Sequence, residues 1–328
     1  MSLPELTELV TLKSPGAFRA AALDAEGRAW RLFSLRFQGE ADALLGRRYH
    51  ALIRSLSKAQ GGAFVELENK VAGFLPIRGD ALVKEGERIC VEIVAEARTD
   101  KLARVRLSEQ GPGDFDAFSA WKASLPVAAP LPECEDRERL TDAFQDAALD
   151  SVTLPGGGRL HLEQTRALVA LDIDTAGREM RGSAGARALS VNRDAAFEAA
   201  RQIALRNLGG AIVHACLAPM NRAAGEKVRS AFEQVFRAVS RRCIDVLAPS
   251  RFGLMEAAIA WAERPVNDLA GTVESDLLRS LDEASREAAH QPAKLFDVCL
   301  SPAAFQVYQD HRTVLDADLK SMFGGRVQ

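Results

Sequence analysis

The chain has 328 residues, of which 47% are apolar and 27% charged, and it carries a formal net charge of −3 with a pI near 6.0. These values are ordinary for a globular protein of two or three domains. They argue against a strongly basic protein that binds nucleic acid tightly and without specificity, but they leave open RNA binding through a local basic and aromatic surface.

Membrane insertion and cysteine chemistry are not expected. The sequence contains no run of eighteen apolar residues, and its amino terminus lacks the pattern of a secretory signal. Its five cysteines are scattered without a C-x-x-C pair, which disfavours disulfides and a cysteine zinc site. We therefore expect a cytoplasmic protein without a membrane segment and without zinc.

The first third of the chain is rich in short alternating segments. Residues 1–38 contain two strand-like stretches, Ala17–Leu23 and Ala29–Phe37. Five further segments bounded by turn residues predict a small OB-type β-barrel over residues 39–110. These are Arg47–Leu56, Ala63–Glu68, Val71–Pro76, Arg88–Ala95 and Ala103–Leu107.

Glycine and proline are frequent in Gln110–Glu133, which predicts a linker over residues 111–133. Helices and apolar strands then alternate, which predicts an α/β core over residues 134–265 and a small α/β piece over residues 266–328. The predicted helices are Asp136–Leu149, Asn192–Asn207, Arg222–Ser240, Val273–Ala289 and Pro302–Asp310. The predicted strands are Ser151–Leu154, Arg159–Glu163, Ala167–Ile173, Ala211–Leu217, Ile244–Leu247 and Leu295–Leu300. The fold class is therefore mixed α/β.

Two acids end the apolar strand Ala167–Ile173. Asp172 and Asp174 are two residues apart, so a strand places both carboxylates on one face. Such a pair can hold Mg²⁺, which would polarise a phosphate and activate water. The alternative is a solvated strand end whose acids cap a loop, and spacing alone favours that alternative.

Three blocks of this region resemble the ribonuclease E/G family: Leu154–Gly177, Asn192–Val213 and Ser250–Glu256. Asp172 matches the first metal-binding aspartate of the family, while Asp174 stands where the family usually has asparagine. The resemblance implies a Mg²⁺-dependent endoribonuclease of RNA processing or decay that cleaves single-stranded RNA. Asp172 and Asp174 would be its catalytic and metal residues, and Ser250 and Arg251 would lie beside the scissile phosphate.

Departures from the family pattern are equally informative. Ala215 stands where the family has its second metal aspartate, so we hypothesise that Asp174 partly compensates. Arg264–Asp268 replaces the paired zinc cysteines, so a homo-oligomer would form without a zinc link. No R-T-A-G type loop for a 5′-monophosphate sensor is present, which implies a short family member. Residues 1–38 would then be remnant ribonuclease-H-like strands.

The barrel segment also resembles the family, in its RNA-binding OB barrel. Phe64 and Phe74 occupy the two aromatic positions that stack on RNA, and Lys101 lies in a loop that contacts the RNA backbone. Four further basic residues are expected to neutralise phosphates: Arg47, Arg48, Arg54 and Lys58. The alternative is that both phenylalanines are core residues, and Ala51, in place of a family glycine, makes the match imperfect.

Two functions stay open from the sequence. One is an endoribonuclease, as the retained Asp172 favours. The other is a catalytically impaired family member that only binds RNA, as Ala215 favours. An unrelated phosphate-binding α/β enzyme that uses Gly156–Gly158 is disfavoured, because no Lys-Ser/Thr follows these glycines and a hairpin turn explains them.

Overall fold

A computed structural model describes residues 3–39, 42–77, 83–179, 181–291, 294–324 and 326. The strands are β1 (Leu6–Ser14), β2 (Ala17–Asp24), β3 (Ala29–Arg36), β4 (Arg48–Ser57), β5 (Gly62–Leu67), β6 (Ala72–Pro76), β7 (Arg88–Ala95), β8 (Ala103–Leu107), β9 (Glu133–Glu135), β10 (Ser151–Thr153), β11 (Arg159–Gln164), β12 (Leu168–Asp174), β13 (Gly210–Ala215), β14 (Ile244–Val246) and β15 (Leu254–Ile259). The helices are α1 (Ala117–Ser124), α2 (Arg137–Ala148), α3 (Ala184–Leu205), α4 (Arg222–Val239), α5 (Val273–His290), α6 (Pro302–Asp310) and α7 (Arg312–Phe323). In the described part of the chain, no helix combines the length and apolarity needed to cross a membrane.

A four-stranded sheet contains the amino-terminal strands. Its order is β3-β2-β1-β9, with β9 parallel to β1 and the other pairs antiparallel. One face packs on α3, where the Trp30 and Phe197 rings meet edge-on with centroids 5.5 Å apart. The other face packs on α2 through Leu140 and Ala143. The assignment of this sheet to remnant ribonuclease-H-like strands stays a prediction.

Strands β4 to β8 close into a barrel in the order β4-β5-β6-β8-β7, which confirms the predicted mixed α/β fold with an OB-type barrel. The inward side chains of each strand form a core of their own, which includes Tyr49, Ile53, Val65 and Val91. The barrel is inserted between β3 and β9 of the amino-terminal sheet. It is joined to the segment after β15 by the Arg98 guanidinium, which lies 3.7 Å from the Trp261 ring centroid.

The segment predicted as a linker contains helix α1. Asp116 caps its first turn by accepting a hydrogen bond from the Ser119 backbone N–H. Trp121 and Leu125 are buried in the core shared with the amino-terminal sheet and α3. This segment therefore covers apolar surface as it connects the barrel to β9.

The largest sheet has the order β10-β11-β12-β13-β15-β14, in which only β12 and β13 run parallel. One face is covered by α3 and α4. Phe232 and Phe236 of α4 are fully buried against it. Because side chains alternate along a strand, the exposed residues of β12 point to the opposite face. Both of its aspartates lie there.

The carboxyl-terminal piece is helical in the residues that the structure describes. Helices α5 and α7 pack through Leu277, Leu281 and Leu315, together with Phe296. The predicted strand Leu295–Leu300 is wrong, since that segment forms only an isolated bridge at Phe296. Phe296 is instead buried among the helices, with its backbone N–H bonded to the Arg326 carbonyl at 2.8 Å. The alternating apolar residues Phe296, Val298 and Leu300 thus pack against the helices.

Candidate functional site

Asp172 and Asp174 lie on the open face of β12, and both side chains are exposed. One Asp174 carboxylate oxygen accepts a hydrogen bond from the Ala176 backbone N–H at 2.9 Å, which caps the turn after the strand. Asp172 has no hydrogen-bonded partner among the described residues. Asp174 therefore has the local loop-capping role that the sequence suggested as an alternative, whereas Asp172 remains available to a ligand.

The strand register identifies the neighbours of this pair. His161 of β11 lies directly opposite Asp172, and Arg159 lies opposite Asp174. On the other side of β12, β13 runs parallel to it and ends at Ala215. Ala215 is in turn paired with Leu254 of β15. Asp172, His161 and Ala215 line a groove of about 760 Å³ on this face.

The fit of a metal ion is limited by the number of ligands. The described residues contain no cluster of three or more His, Cys, Asp or Glu side chains that could hold a metal. Glu256 is on the same face but is paired with Val213 rather than Ala215. Two carboxylates remain, which suits Mg²⁺, since this ion commonly binds through one or two carboxylates, waters and a substrate phosphate.

A buried histidine lies beneath the groove. His214 is fully buried, and neither ring nitrogen has a hydrogen-bond partner among the described residues. Burial lowers its pKa to about 4, while the negative charge of nearby Asp172 acts in the opposite direction. The ring is therefore neutral at neutral pH and adds no positive charge to the floor of the groove.

A tight turn before β15 places two of the predicted residues, Ser250 and Arg251, at the same edge of the sheet. Within the turn, the Gly253 backbone N–H donates to the Ser250 carbonyl at 2.9 Å. The Gly253 carbonyl accepts from the Cys216 backbone N–H at 2.7 Å, which fastens the turn to the end of β13. Gly253 has φ +79°, and an added Cβ would lie 3.0 Å from the Cys216 carbonyl oxygen, so glycine suits this position.

On the barrel, Phe64 and Phe74 are neighbours on adjacent strands. Their ring centroids are 5.5 Å apart with an interplanar angle of 66°, and both side chains are half-buried on the outer surface. Arg104 of β8 is paired with Phe74 and is exposed. The three residues form one row across β5, β6 and β8. Arg104 was not among the sequence candidates, although the alternation in Ala103–Leu107 already places it outward.

The other basic residues predicted on the barrel are more dispersed. Lys101 is exposed in the turn just before β8, close to this row. Arg54 forms an ion pair with Glu66, with N and O 2.7 Å apart. Arg47 and Arg48 lie at the opposite end of β4 from the strand pair that holds Phe64. Their guanidinium groups contact Tyr49 and the Gly111 carbonyl respectively, and their contact with RNA stays a prediction.

Comparison with known proteins identifies relatives of the second half. The model of the ribonuclease E/G family matches residues 120–258. Ribonuclease E of Escherichia coli is 32% identical over 161 residues, and ribonuclease E of Haemophilus influenzae is 34% identical over 169 residues. A chloroplastic ribonuclease E/G-like protein of Arabidopsis thaliana is 39% identical over 110 residues.

The aligned regions are partial on both sides. They cover 48%, 50% and 32% of this chain but only 14%, 15% and 11% of the three relatives. Among solved structures, a multidomain protein with nucleic acid binding domains from Streptococcus pneumoniae matches 38% of this chain and 48% of its own. Its TM-score is 0.20 and its identity 19%, values that carry no inference.

Proposed function

We propose that this chain, which belongs to the ribonuclease E/G family, binds single-stranded RNA on its barrel and cleaves it with Mg²⁺. The observation that supports RNA binding is the outward row of Phe64, Phe74 and Arg104. Two aromatic rings and a cation at strand spacing suit bases and the phosphate that joins them.

The proposed chemistry uses the groove on the open face of β12. Asp172 would hold the cation, with Asp174 assisting once its bond to the Ala176 N–H is given up. Bound Mg²⁺ supplies polarisation of the phosphate and a lowered pKa of its water. Arg251, exposed at the neighbouring turn, would offset the charge of an RNA phosphate and hold the RNA strand over the groove.

A second candidate function is RNA binding without cleavage. Ala215, beside Asp172 on the open face, contributes no carboxylate, and Asp174 is engaged in its turn. With one free carboxylate, the attraction for a divalent ion is weaker than with two. The missing carboxylate does not affect the row of Phe64, Phe74 and Arg104 on the barrel, so RNA binding would be retained even without cleavage.

One experiment separates the two candidates. Fluorescein-labelled single-stranded RNA of mixed sequence is incubated with the purified protein in Mg²⁺ or in EDTA, and both retention and product length are measured. Endonuclease activity predicts Mg²⁺-dependent fragments that Asp172→Asn abolishes and Asp245→Asn preserves. Asp245 is a matched control because it is exposed on β14 of the same sheet.

The binding proposal has its own control. The double variant Phe64→Ala, Phe74→Ala is expected to lose retention, whereas Phe305→Ala is not, because Phe305 is exposed on α6, which packs in the carboxyl-terminal cluster rather than on the barrel. Retention without Mg²⁺-dependent fragments supports the second candidate. Absence of retention in the wild-type protein contradicts both.

A further inference from the structure

Phe252 is the most exposed large apolar side chain that the structure describes, with 74% of its surface accessible. It lies at the tip of the turn before β15, between Arg251 and Gly253. A phenylalanine ring in this position contributes almost nothing to the core. Its exposure therefore calls for another explanation than folding stability.

The backbone beneath the ring is well fixed. The Ser250 N–H donates to the Leu254 carbonyl at 2.9 Å, and the Phe252 N–H donates to the Ser250 hydroxyl at 3.3 Å. Together with the bond between Gly253 and Cys216, these contacts fasten the turn to itself and to the end of β13. A ligand that binds a side chain on such a backbone does not also have to order the turn.

Positive charge accompanies the ring. The Arg251 guanidinium carbon lies 4.7 Å from the Phe252 ring centroid. An aromatic ring with an arginine beside it suits a ligand that has both a flat π surface and an anionic group.

The location of the tip points to the nature of this ligand. Leu254, two residues beyond Phe252, is paired with Ala215, which lies one strand from Asp172. At strand spacing, Leu254 lies two strands, about 10 Å, from Asp172. A base on the ring would thus belong to the same RNA strand that enters the groove.

We propose that Phe252, supported by Arg251, stacks on a base of single-stranded RNA and forms a second RNA contact beside the Asp172 groove, separate from the barrel row. This inference rests on the proposed RNA binding. It adds a nucleotide-binding position and the residue that provides it. Because stacking on a ring does not require hydrogen bonds to base edges, the contact should accept any base.

The test uses a fluorescein-labelled 24-nucleotide oligouridylate and fluorescence anisotropy in EDTA, so that cleavage does not interfere. Phe252→Ala is expected to weaken binding by about five- to a hundredfold, the range that base stacking covers. Phe252→Tyr keeps the ring and is expected to remain within about twofold of the wild type. Phe305→Ala is the matched control, since it removes another exposed phenylalanine.

A second measurement localises the contact. Oligouridylates that carry one abasic site at successive positions are compared between the wild-type protein and Phe252→Ala. A position at which loss of the base weakens wild-type binding but no longer affects the variant identifies the stacked nucleotide.

The outcomes are distinguishable. Binding of Phe252→Ala at wild-type affinity, with the Phe64→Ala, Phe74→Ala double variant impaired, overturns this inference and leaves the barrel proposal intact. Equal losses in Phe252→Ala and Phe252→Tyr also overturn it, because the ring would not be the cause. Absence of binding by the wild-type protein removes both proposals.

Discussion

Ala215→Asp is the substitution that most directly tests the proposed metal site on the open face. It places a second carboxylate next to Asp172 on the open face, on the neighbouring parallel strand. Adjacent strands are about 5 Å apart. At that separation two unit charges repel by about 1 kcal/mol in water and about 3 kcal/mol at an effective dielectric constant of about 20.

The same charges that repel in the free protein attract a divalent cation. We therefore expect Ala215→Asp to lower the free energy of unfolding by about 1–3 kcal/mol without Mg²⁺. Mg²⁺ affinity should rise by about five- to a hundredfold, since 1.4 kcal/mol corresponds to a factor of about ten. If the fold carries a latent nuclease site, the rate of Mg²⁺-dependent RNA cleavage should rise as well.

The assay combines isothermal titration with Mg²⁺ and urea unfolding at fixed ionic strength. Ala211→Asp is the control, because Ala211 is exposed on the same strand but is paired with Leu168, four residues before Asp172. That distance is about 13 Å, beyond the screening length of physiological salt. Equal Mg²⁺ affinities of the two variants would refute the assignment of this face as a metal site.

Three further outcomes follow from the structure. Burial lowers the pKa of His214 to about 4 in the folded protein, so the unfolded chain binds a proton at this histidine more readily. The free energy of unfolding should therefore fall as the pH drops from about 6.5 toward 4. His214→Leu should flatten this dependence in thermal melts recorded across that range. Phe232→Ala empties a fully buried position and should lower the free energy of unfolding by about 3–5 kcal/mol in urea titrations; a loss below about 1 kcal/mol would contradict the packing described. Arg104→Ala should weaken RNA binding and reduce its salt dependence by about one phosphate contact, whereas Arg106→Ala, whose guanidinium is paired with Glu92, should change neither.

The barrel was predictable because local pattern and tertiary structure agree there. Its five strands lie within one or two residues of the predicted bounds, since inward apolar residues alternate with outward polar ones and turn residues separate them. The same holds for α2, where Asp136 caps the first turn as its sequence position suggests.

Other elements were missed for identifiable physical reasons. Helix α3 begins at Ala184, eight residues before the predicted start, because Ser183 provides the cap and the preceding small residues give no apolar periodicity. Strand β15 carries Glu256 and alanines, which weaken its apolar signal, and its pairing with β13 depends on residues far away in the sequence. Helix α1 is hidden in a segment rich in proline and glycine, yet Trp121 anchors it.

The site was predictable only in part. Strand spacing put Asp172 and Asp174 on one face, as the exposure pattern of β12 shows, whereas Ser250 and Arg251 were assigned to the site only by the family resemblance. His161 and Arg104 become candidates only when neighbouring strands are paired, since each stands beside its predicted partner through contacts distant in sequence. The roles of all these residues stay predictions until the variants are measured.

The insertion of the barrel between β3 and β9 affects the order in which the chain folds. Strands β1 to β3 are synthesised first, but α3, which covers one face of their sheet, follows only after the whole barrel and α2. At the usual rates of translation this delay is roughly ten to thirty seconds. The barrel has its own hydrophobic core. It is therefore expected to fold on the ribosome before α3 has been synthesised to cover strands β1 to β3.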